Sequence, residues 1–275
     1  MKTSPFVRQA VLTAVCLLLV AVSAVAQATQ TAPSNTPFQP TVGQAGKDVV
    51  WVPTPQTTVD KMLELAKITP QDYLIDLGSG DGRTVITAAK RGLTALGIEY
   101  NPDMVELSKK NAAAEGVTAK ATFMKADIFQ TDFSKATVLT MFLLPDLNVK
   151  LRPIILNMKP GTRIVSNTFT MGDWAADETA TVTKDCPNYC TALLWIVPAK
   201  VDGAWKLPQG ELKLTQTYQN FTGTLGNTAI TNGKLVGEKI TFEAAGSRYE
   251  GTVNGNRIQG TVRSGNNTTQ FTASR

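Results

Sequence analysis

The chain has 275 residues, of which 43% are hydrophobic and 18% charged. That is enough apolar material for one large core or two moderate ones, so a small stapled peptide and a wholly disordered chain are both excluded. Lys and Arg number 27 against 22 Asp and Glu, with no long run of like charge and no basic stretch studded with aromatics, so nucleic acid is not the expected partner. Histidine is absent, which removes Ser-His-Asp and Cys-His nucleophiles, an imidazole base and His-ligated metal sites; no metal is expected.

Lys2 and Arg8 precede an uncharged stretch from Ala10 to Ala26, centred on Leu17-Leu18-Leu19-Val20 and ending Ala24-Val25-Ala26. This is the layout of a secretory signal peptide, and the apolar part is shorter than the roughly 20 residues of a spanning helix. Residues 1–26 are therefore expected to be a cleaved leader. The mature protein is expected to be exported, periplasmic or secreted, with no stable membrane span. Cys16 leaves with the leader, and Cys186 and Cys190 remain. In an exported chain they are expected to form a disulfide, which on the loop-entropy picture contributes only about 2 kcal/mol and pins a local turn; a redox pair is the alternative.

Residues 27–47 are built mainly from small and polar residues and Pro, and read as a flexible linker. An α/β domain is expected over 48–201. It opens with Trp51-Val52-Pro53-Thr54-Pro55 and a helix capped by Thr58, with Val59, Met62, Leu63, Leu65 and Ala66 as its apolar face. Tyr73–Leu77 is a strand, Gly78–Gly82 a glycine turn and Thr84–Arg91 a helix. A second strand ends at Glu99, and Asn101-Pro102 opens a helix to about Glu115. A third strand leads to Asp127 and a fourth to Leu144. A helix follows over Asn148–Met158, with a fifth strand over Arg163–Phe169. Such alternation implies a mainly parallel sheet whose ligands bind at the carboxyl ends of the strands. Thr179–Lys184 and Ala192–Val197 are expected to form an antiparallel hairpin, with Asp173-Trp174 as the turn into it or, alternatively, a substrate lid. Residues 202–275 switch to short alternating strands separated by Asn-Gly or Gly-Asn turns, read as a small all-β domain of five to six strands. Phe221–Leu225, Tyr249–Val253 and Ile258–Val262 share an x-Gly-Thr pattern there, attributed to packing.

The chemistry is concentrated at Asp76-Leu77-Gly78-Ser79-Gly80-Asp81-Gly82-Arg83. Glycine at 78 and 80 lets the backbone approach a nucleotide-like ligand. Arg83 stands where a dinucleotide site needs its third glycine, so a cofactor without a pyrophosphate fits better. Glu99, at the tip of the second strand, is placed to accept from two ribose hydroxyls, and Asp127, at the end of the third, to accept from an adenine amino group. Arg83 is also a candidate partner for a neighbouring acid.

In combination these residues resemble the class I S-adenosylmethionine-dependent methyltransferases. With Trp51-Val52-Pro53-Thr54 ahead of Asp76–Arg83, they are most similar to the small lysine methyltransferases of the ATP synthase c-subunit type. The resemblance implies a Rossmann-like domain, S-adenosylmethionine (SAM) as cofactor, and a cofactor site built from Asp76, Gly78, Ser79, Gly80, Asp81, Glu99, Tyr100, Asp127 and Ile128. It implies methyl transfer to a nucleophile, with a protein lysine as one candidate acceptor. The usual Asn/Asp-Pro-Pro-aromatic loop is replaced by Leu143-Leu144-Pro145-Asp146, so acceptor-side candidates are Trp51, Thr54, Leu144, Pro145, Asp146 and Asn148. Trp51 alternatively plugs the first helix, and Asp146 alternatively caps the following one. A non-catalytic envelope protein that keeps the fold is the alternative function, and the β domain is a candidate for binding an envelope component.

Overall fold

The computed structural model describes residues 38–275. The expected leader, Cys16 and the first part of the expected linker lie outside the described residues. From residue 56 the chain runs α1 (Gln56–Leu65), β1 (Tyr73–Leu77), α2 (Arg83–Lys90), β2 (Thr94–Glu99), α3 (Pro102–Ala114), β3 (Ala121–Lys125), β4 (Val138–Met141), α4 (Pro145–Ile155), β5 (Arg163–Asn167), β6 (Glu178–Thr181) and β7 (Thr191–Ile196). These strands form one sheet in the order β3-β2-β1-β4-β5-β7-β6. β1 is parallel to both β2 and β4, and β7 alone runs against the sheet, antiparallel to both of its neighbours β5 and β6. The mainly parallel sheet with a C-terminal hairpin expected from the alternation is present.

The central strands β1, β4 and β5 are buried along nearly their whole length because both faces are covered. Leu74 and Val138 point into a core shared with Val59 and Leu63 of α1, Val85 of α2 and Val105 of α3. Ile75, Leu77, Leu139 and Met141 point the other way, onto Leu151 and Ile155 of α4 and the buried Trp174 and Trp195. β1 has β2 on one side and β4 on the other, so the winding reverses at its edge and leaves a crevice at the carboxyl ends of these strands.

Three local expectations are corrected. α1 starts at Gln56, after Pro55 (φ −54°), with no side-chain cap. Thr58 lies inside the helix, and its hydroxyl donates to the Tyr189 carbonyl at 3.2 Å. α4 begins three residues before the expected Asn148, because Pro145 suits a first helical position whose N–H would have no partner. The end of the expected linker is folded: the Gly43 N–H donates to the Trp51 carbonyl and the Trp51 N–H to the Gln44 carbonyl, at 2.8 and 2.9 Å.

The second region is a separate antiparallel sheet of nine strands, not five to six. They are β8 (Gly203–Leu207), β9 (Gly210–Thr217), β10 (Asn220–Leu225), β11 (Thr228–Ala229), β12 (Thr231–Val236), β13 (Lys239–Ala244), β14 (Ser247–Asn254), β15 (Arg257–Ser264) and β16 (Asn267–Ser274). Several connections, such as Ala245-Gly246, lack the Asn-Gly signature yet take the positive φ values (48° and 71°) of a primed hairpin turn. β9 pairs with both β8 and β10, which closes the sheet into a barrel and removes its free edges. Inside, Phe242 stacks on Tyr249 at 4.6 Å and Tyr249 meets Phe271 edge-on at 5.4 Å.

The repeated x-Gly-Thr pattern serves this packing. Gly251 and Gly260 face each other across β14 and β15, and a Cβ at 260 would lie 2.0 Å from the Glu250 carbonyl oxygen and 2.5 Å from the Gly251 Cα. The barrel leans on the α/β domain through Tyr218, which stacks on Trp174 at 5.8 Å and donates to Asp173 at 3.0 Å. Trp174 is fully buried and Met171 bridges to it, so Asp173-Trp174 is a turn, as expected. No helix among the described residues is long and apolar enough to cross a membrane.

Because a Cβ at 260 meets backbone and not a side chain that can swing away, Gly260→Val is expected to destabilise the protein by about 2 kcal/mol. Urea unfolding followed by circular dichroism checks this; an unchanged midpoint would mean that β14 and β15 separate at no cost.

Candidate active site

The glycine turn leaves β1 at the crevice. Gly78 and Gly80 have φ of 78° and 53°, a region that side-chain-bearing residues rarely adopt. A Cβ at 80 would stand 2.7 Å from the Trp51 indole nitrogen, so glycine here keeps room between the turn and the leading segment. The Gly80 N–H donates to Glu99 Oε2 at 2.9 Å, and the other Glu99 oxygen accepts the Asn101 N–H at 2.9 Å. Asn101 in turn caps α3 by accepting from the Asp103 N–H. The second-strand acid thereby fixes both the glycine turn and the start of α3.

Asp76 is buried at the end of β1 and accepts from the Thr140 hydroxyl at 2.6 Å. Burial, opposed by that hydrogen bond and reinforced by the nearby charges of Glu99 and Asp81, pushes its carboxyl up to about 7. The Asp81 carboxylate is gripped by Arg83, whose guanidinium also donates to the Thr54 carbonyl at 2.9 Å. Arg83 therefore braces the glycine turn against the leading segment by pairing with a neighbouring acid. The Ser79 hydroxyl is buried without a hydrogen-bond partner among the described residues. At the third strand tip, Asp127 accepts from Lys47 Nζ at 2.8 Å and from the Phe129 N–H at 2.9 Å. Lys47 thus holds the carboxylate that the sequence assigned to an amino group of the ligand.

One cleft collects most of the expected residues. Asp76, Gly78, Ser79, Gly80, Asp81, Glu99, Tyr100, Asp127 and Ile128 line it, and so do Trp51, Thr54 and Leu144. Pro145, Asp146 and Asn148 do not. Because α4 starts at Pro145, the first two sit exposed in its opening turn. Asn148 is turned inward and fully buried, donating to the Phe169 and Thr170 carbonyls at 3.2 Å. Asp146 lies inside the helix and does not cap a helix that starts at 148. Trp51 is half-buried against Gly80 in the cleft wall, not plugged beneath α1.

Two groups in the cleft wall were missed. The folded segment 44–50 lies along it; its small, polar composition hides this role. Phe142, Phe169 and Tyr189 form an aromatic wall, with Phe142 stacked on Phe169 at 5.7 Å and met edge-on by Tyr189 at 5.0 Å. Phe142 and Phe169 follow the ends of β4 and β5, and applying the strand-tip rule to those strands would have found them. Tyr189 comes from the loop closed by the Cys186–Cys190 disulfide, which is formed as expected.

The cleft thus joins an acidic end to an aromatic one. It suits a ligand that carries both hydroxyls and positive charge: the clustered carboxylates attract a cation, and the glycine turn leaves room for it.

Comparison with known proteins agrees with this chemistry. The ANTKMT methyltransferase domain matches residues 76–178. A protein-lysine N-methyltransferase of Saccharolobus islandicus is 41% identical over 152 residues, covering 54% of this chain and 94% of the relative. The lysine N-methyltransferase of the ATP synthase c-subunit from Homo sapiens is 33% identical over 128 residues, 46% of this chain and 54% of that protein, so the chain spans about half the length of this second relative. A crystal structure of an RNA methyltransferase from Salinibacter ruber in complex with S-adenosyl-L-homocysteine (SAH) shares 45% identity over 55% of this chain and 96% of the other, with a TM-score of 0.51. With its sheet, its glycine turn and its strand-tip acids, the chain belongs to the class I SAM-dependent methyltransferases.

Proposed function

We propose that this enzyme transfers the methyl group of SAM to the side-chain amine of a protein lysine. The observation that carries the proposal is the union, in one cleft, of acidic strand tips with an aromatic wall. The 41% identity to a protein-lysine N-methyltransferase over nearly its whole length supports the choice of acceptor. SAM supplies an already activated methyl group on a sulfonium, so the protein has mainly to align the nucleophile and keep water away. In this reading Glu99 accepts from the ribose hydroxyls while its own backbone bonds hold it still, and the Asp76 carboxylate opposes the positive charge of the cofactor. Asp127 accepts from the adenine amino group once Lys47 yields, and Ile128 and Tyr100 cover the base. Gly78, Ser79 and Asp81 shape the turn beneath it.

On the acceptor side, the faces of Phe142, Phe169 and Tyr189, with Trp51 and Leu144, form a largely apolar funnel. Aromatic faces attract the arriving ammonium, whereas its desolvation in the cleft favours loss of a proton to solvent before the free amine attacks. During transfer the positive charge moves from sulfur to nitrogen, where the aromatic faces attract it.

We also infer that the mature protein is exported. The basic, apolar and Ala-rich order of residues 1–26 supports this reading, as does a disulfide, which persists in oxidising compartments. Export would require a supply of SAM outside the cytosol. Intact-mass analysis of the native protein is expected to show cleavage after Ala26; a retained leader would contradict export by this route.

Incubation of the purified enzyme with tritiated SAM and envelope or whole-cell protein extract is expected to label protein, and hydrolysis to release methyl-lysine. Glu99→Ala is expected to weaken SAH binding at least tenfold and to lower the labelling. Label found on RNA instead, or on no lysine, would overturn the acceptor assignment.

Because Asp76 titrates near 7 in the free protein and the cationic cofactor favours its ionised form, SAM affinity is expected to fall about tenfold from pH 8 to pH 6. Near pH 7 binding is expected to release a proton, visible by calorimetry in buffers of different ionisation enthalpy. Asp76→Asn is expected to bind more weakly at pH 8 and to lose this dependence. A pH-independent wild type would place Asp76 outside the cofactor's field.

A further inference from the structure

The Cys186–Cys190 disulfide lies beside the cleft and not in the hydrophobic core, and the residue it presents is Tyr189. Asp185 and Tyr189 both have positive φ, 54° and 57°. Non-glycine residues hold that conformation only where their surroundings impose it. Here the covalent link closes the loop across four residues, and α1 grips it from outside. Thr57 donates to the Asp185 carbonyl and Thr58 to the Tyr189 carbonyl, both at 3.2 Å. Thr58 is fully buried, so this grip is built into the fold. The strained backbone turns the Tyr189 ring against Phe142 at 5.0 Å and Phe169 at 6.1 Å. At 39% exposure the ring still offers surface to an incoming group.

We propose that Tyr189, held in place by the Cys186–Cys190 disulfide and by Thr57 and Thr58, determines specificity for a cationic acceptor: its ring completes the aromatic wall that receives the lysine ammonium before the amine reaches the methyl group. The proposal rests on the lysine reading above and adds the residue that selects the amine and the device that positions it. Phe142 and Phe169 are fixed by the strands they follow. Tyr189 sits on a loop that would relax out of its positive-φ conformation if the covalent closure were lost. The cofactor end is built on the tips of β1 and β2 and the loop on the segment before β7, so acceptor recognition depends on the disulfide and cofactor binding does not. An ammonium on an aromatic face gains about 0.5–2 kcal/mol, so removing one ring of three is expected to shift acceptor affinity by roughly tenfold.

The test titrates the full-length, SAH-saturated protein with Nα-acetyl-L-lysine N-methylamide and with its uncharged norleucine counterpart. Wild type is expected to prefer the lysine compound. Tyr189→Ala and the double variant Cys186→Ser/Cys190→Ser are expected to bind it about tenfold more weakly and to lose the preference over norleucine. Tyr189→Phe, which keeps the ring face, is expected to stay close to wild type, and SAH affinity is expected to remain unchanged in all four proteins. Equal lysine affinity in wild type and Tyr189→Ala would overturn the role of Tyr189 while leaving the lysine reading intact. An unaffected double-serine variant would overturn the positioning role of the disulfide. Loss of SAH affinity alongside lysine affinity would show that the loop supports the whole cleft and does not select the acceptor. A wild type that binds SAH but shows no preference for the lysine compound would defeat the lysine reading itself, and this inference with it.

Discussion

The carboxylate of Glu99 accepts the backbone N–H of Gly80 on one oxygen and that of Asn101 on the other. These two bonds tie the tips of neighbouring parallel strands together at the point where the sheet reverses its winding, and the rest of the cleft takes its shape from them. A charged acceptor for backbone N–H groups is stronger than a neutral one, and here it replaces the side-chain contacts that a glycine turn cannot make for itself. Once the turn is pinned, Asp76 is held at the bottom of the crevice, Trp51 can lie against Gly80, and the Asn101 cap starts α3 in register with β2.

The cost of this arrangement is electrostatic. Asp76, Asp81 and Glu99 share a small region, and burial with mutual repulsion lifts Asp76 towards neutrality. Arg83 relieves part of the crowding by gripping Asp81. What remains is a pocket with unmet demand for positive charge, which a sulfonium cofactor meets. Lys47 makes a similar compensation at the far end by pairing with Asp127. The acidic end thus suits the cofactor, and the aromatic end suits an amine whose charge is being removed and then restored.

The barrel is organised by a different constraint. Closure demands that β14 and β15 approach closely enough to leave no room for side chains at Gly251 and Gly260, and the aromatic stack of Phe242, Tyr249 and Phe271 fills the interior that closure creates. It meets the α/β domain through Tyr218 against Trp174 and Asp173, through Gln219 on the Ala175 carbonyl, and where Gly237 packs on Gly161, and none of these residues lines the cleft.

Local rules sufficed for much of this molecule. Hydrophobic runs bounded by Gly and Pro located the strands and helices of the α/β domain, and the spacing of Asp76, Gly78, Gly80, Glu99 and Asp127 is a property of consecutive strand–turn units, so these residues could be placed at neighbouring strand tips from their order alone. What the sequence left open depends on contacts between distant segments. Nine strands were read as five or six because turns such as Ala245-Gly246 carry no distinctive residue pair, and only the ladder partners reveal where a strand ends. Asn148 turned inward because Pro145 advanced the start of α4, which rotates each later side chain around the helix. Segment 44–50 gained a place in the cleft wall through its pairing with Trp51, and Tyr189 through a disulfide and two threonines more than 120 residues earlier. Periodicity in a chain encodes which face of an element is buried; which remote side chain that face will meet is decided only when the elements pack.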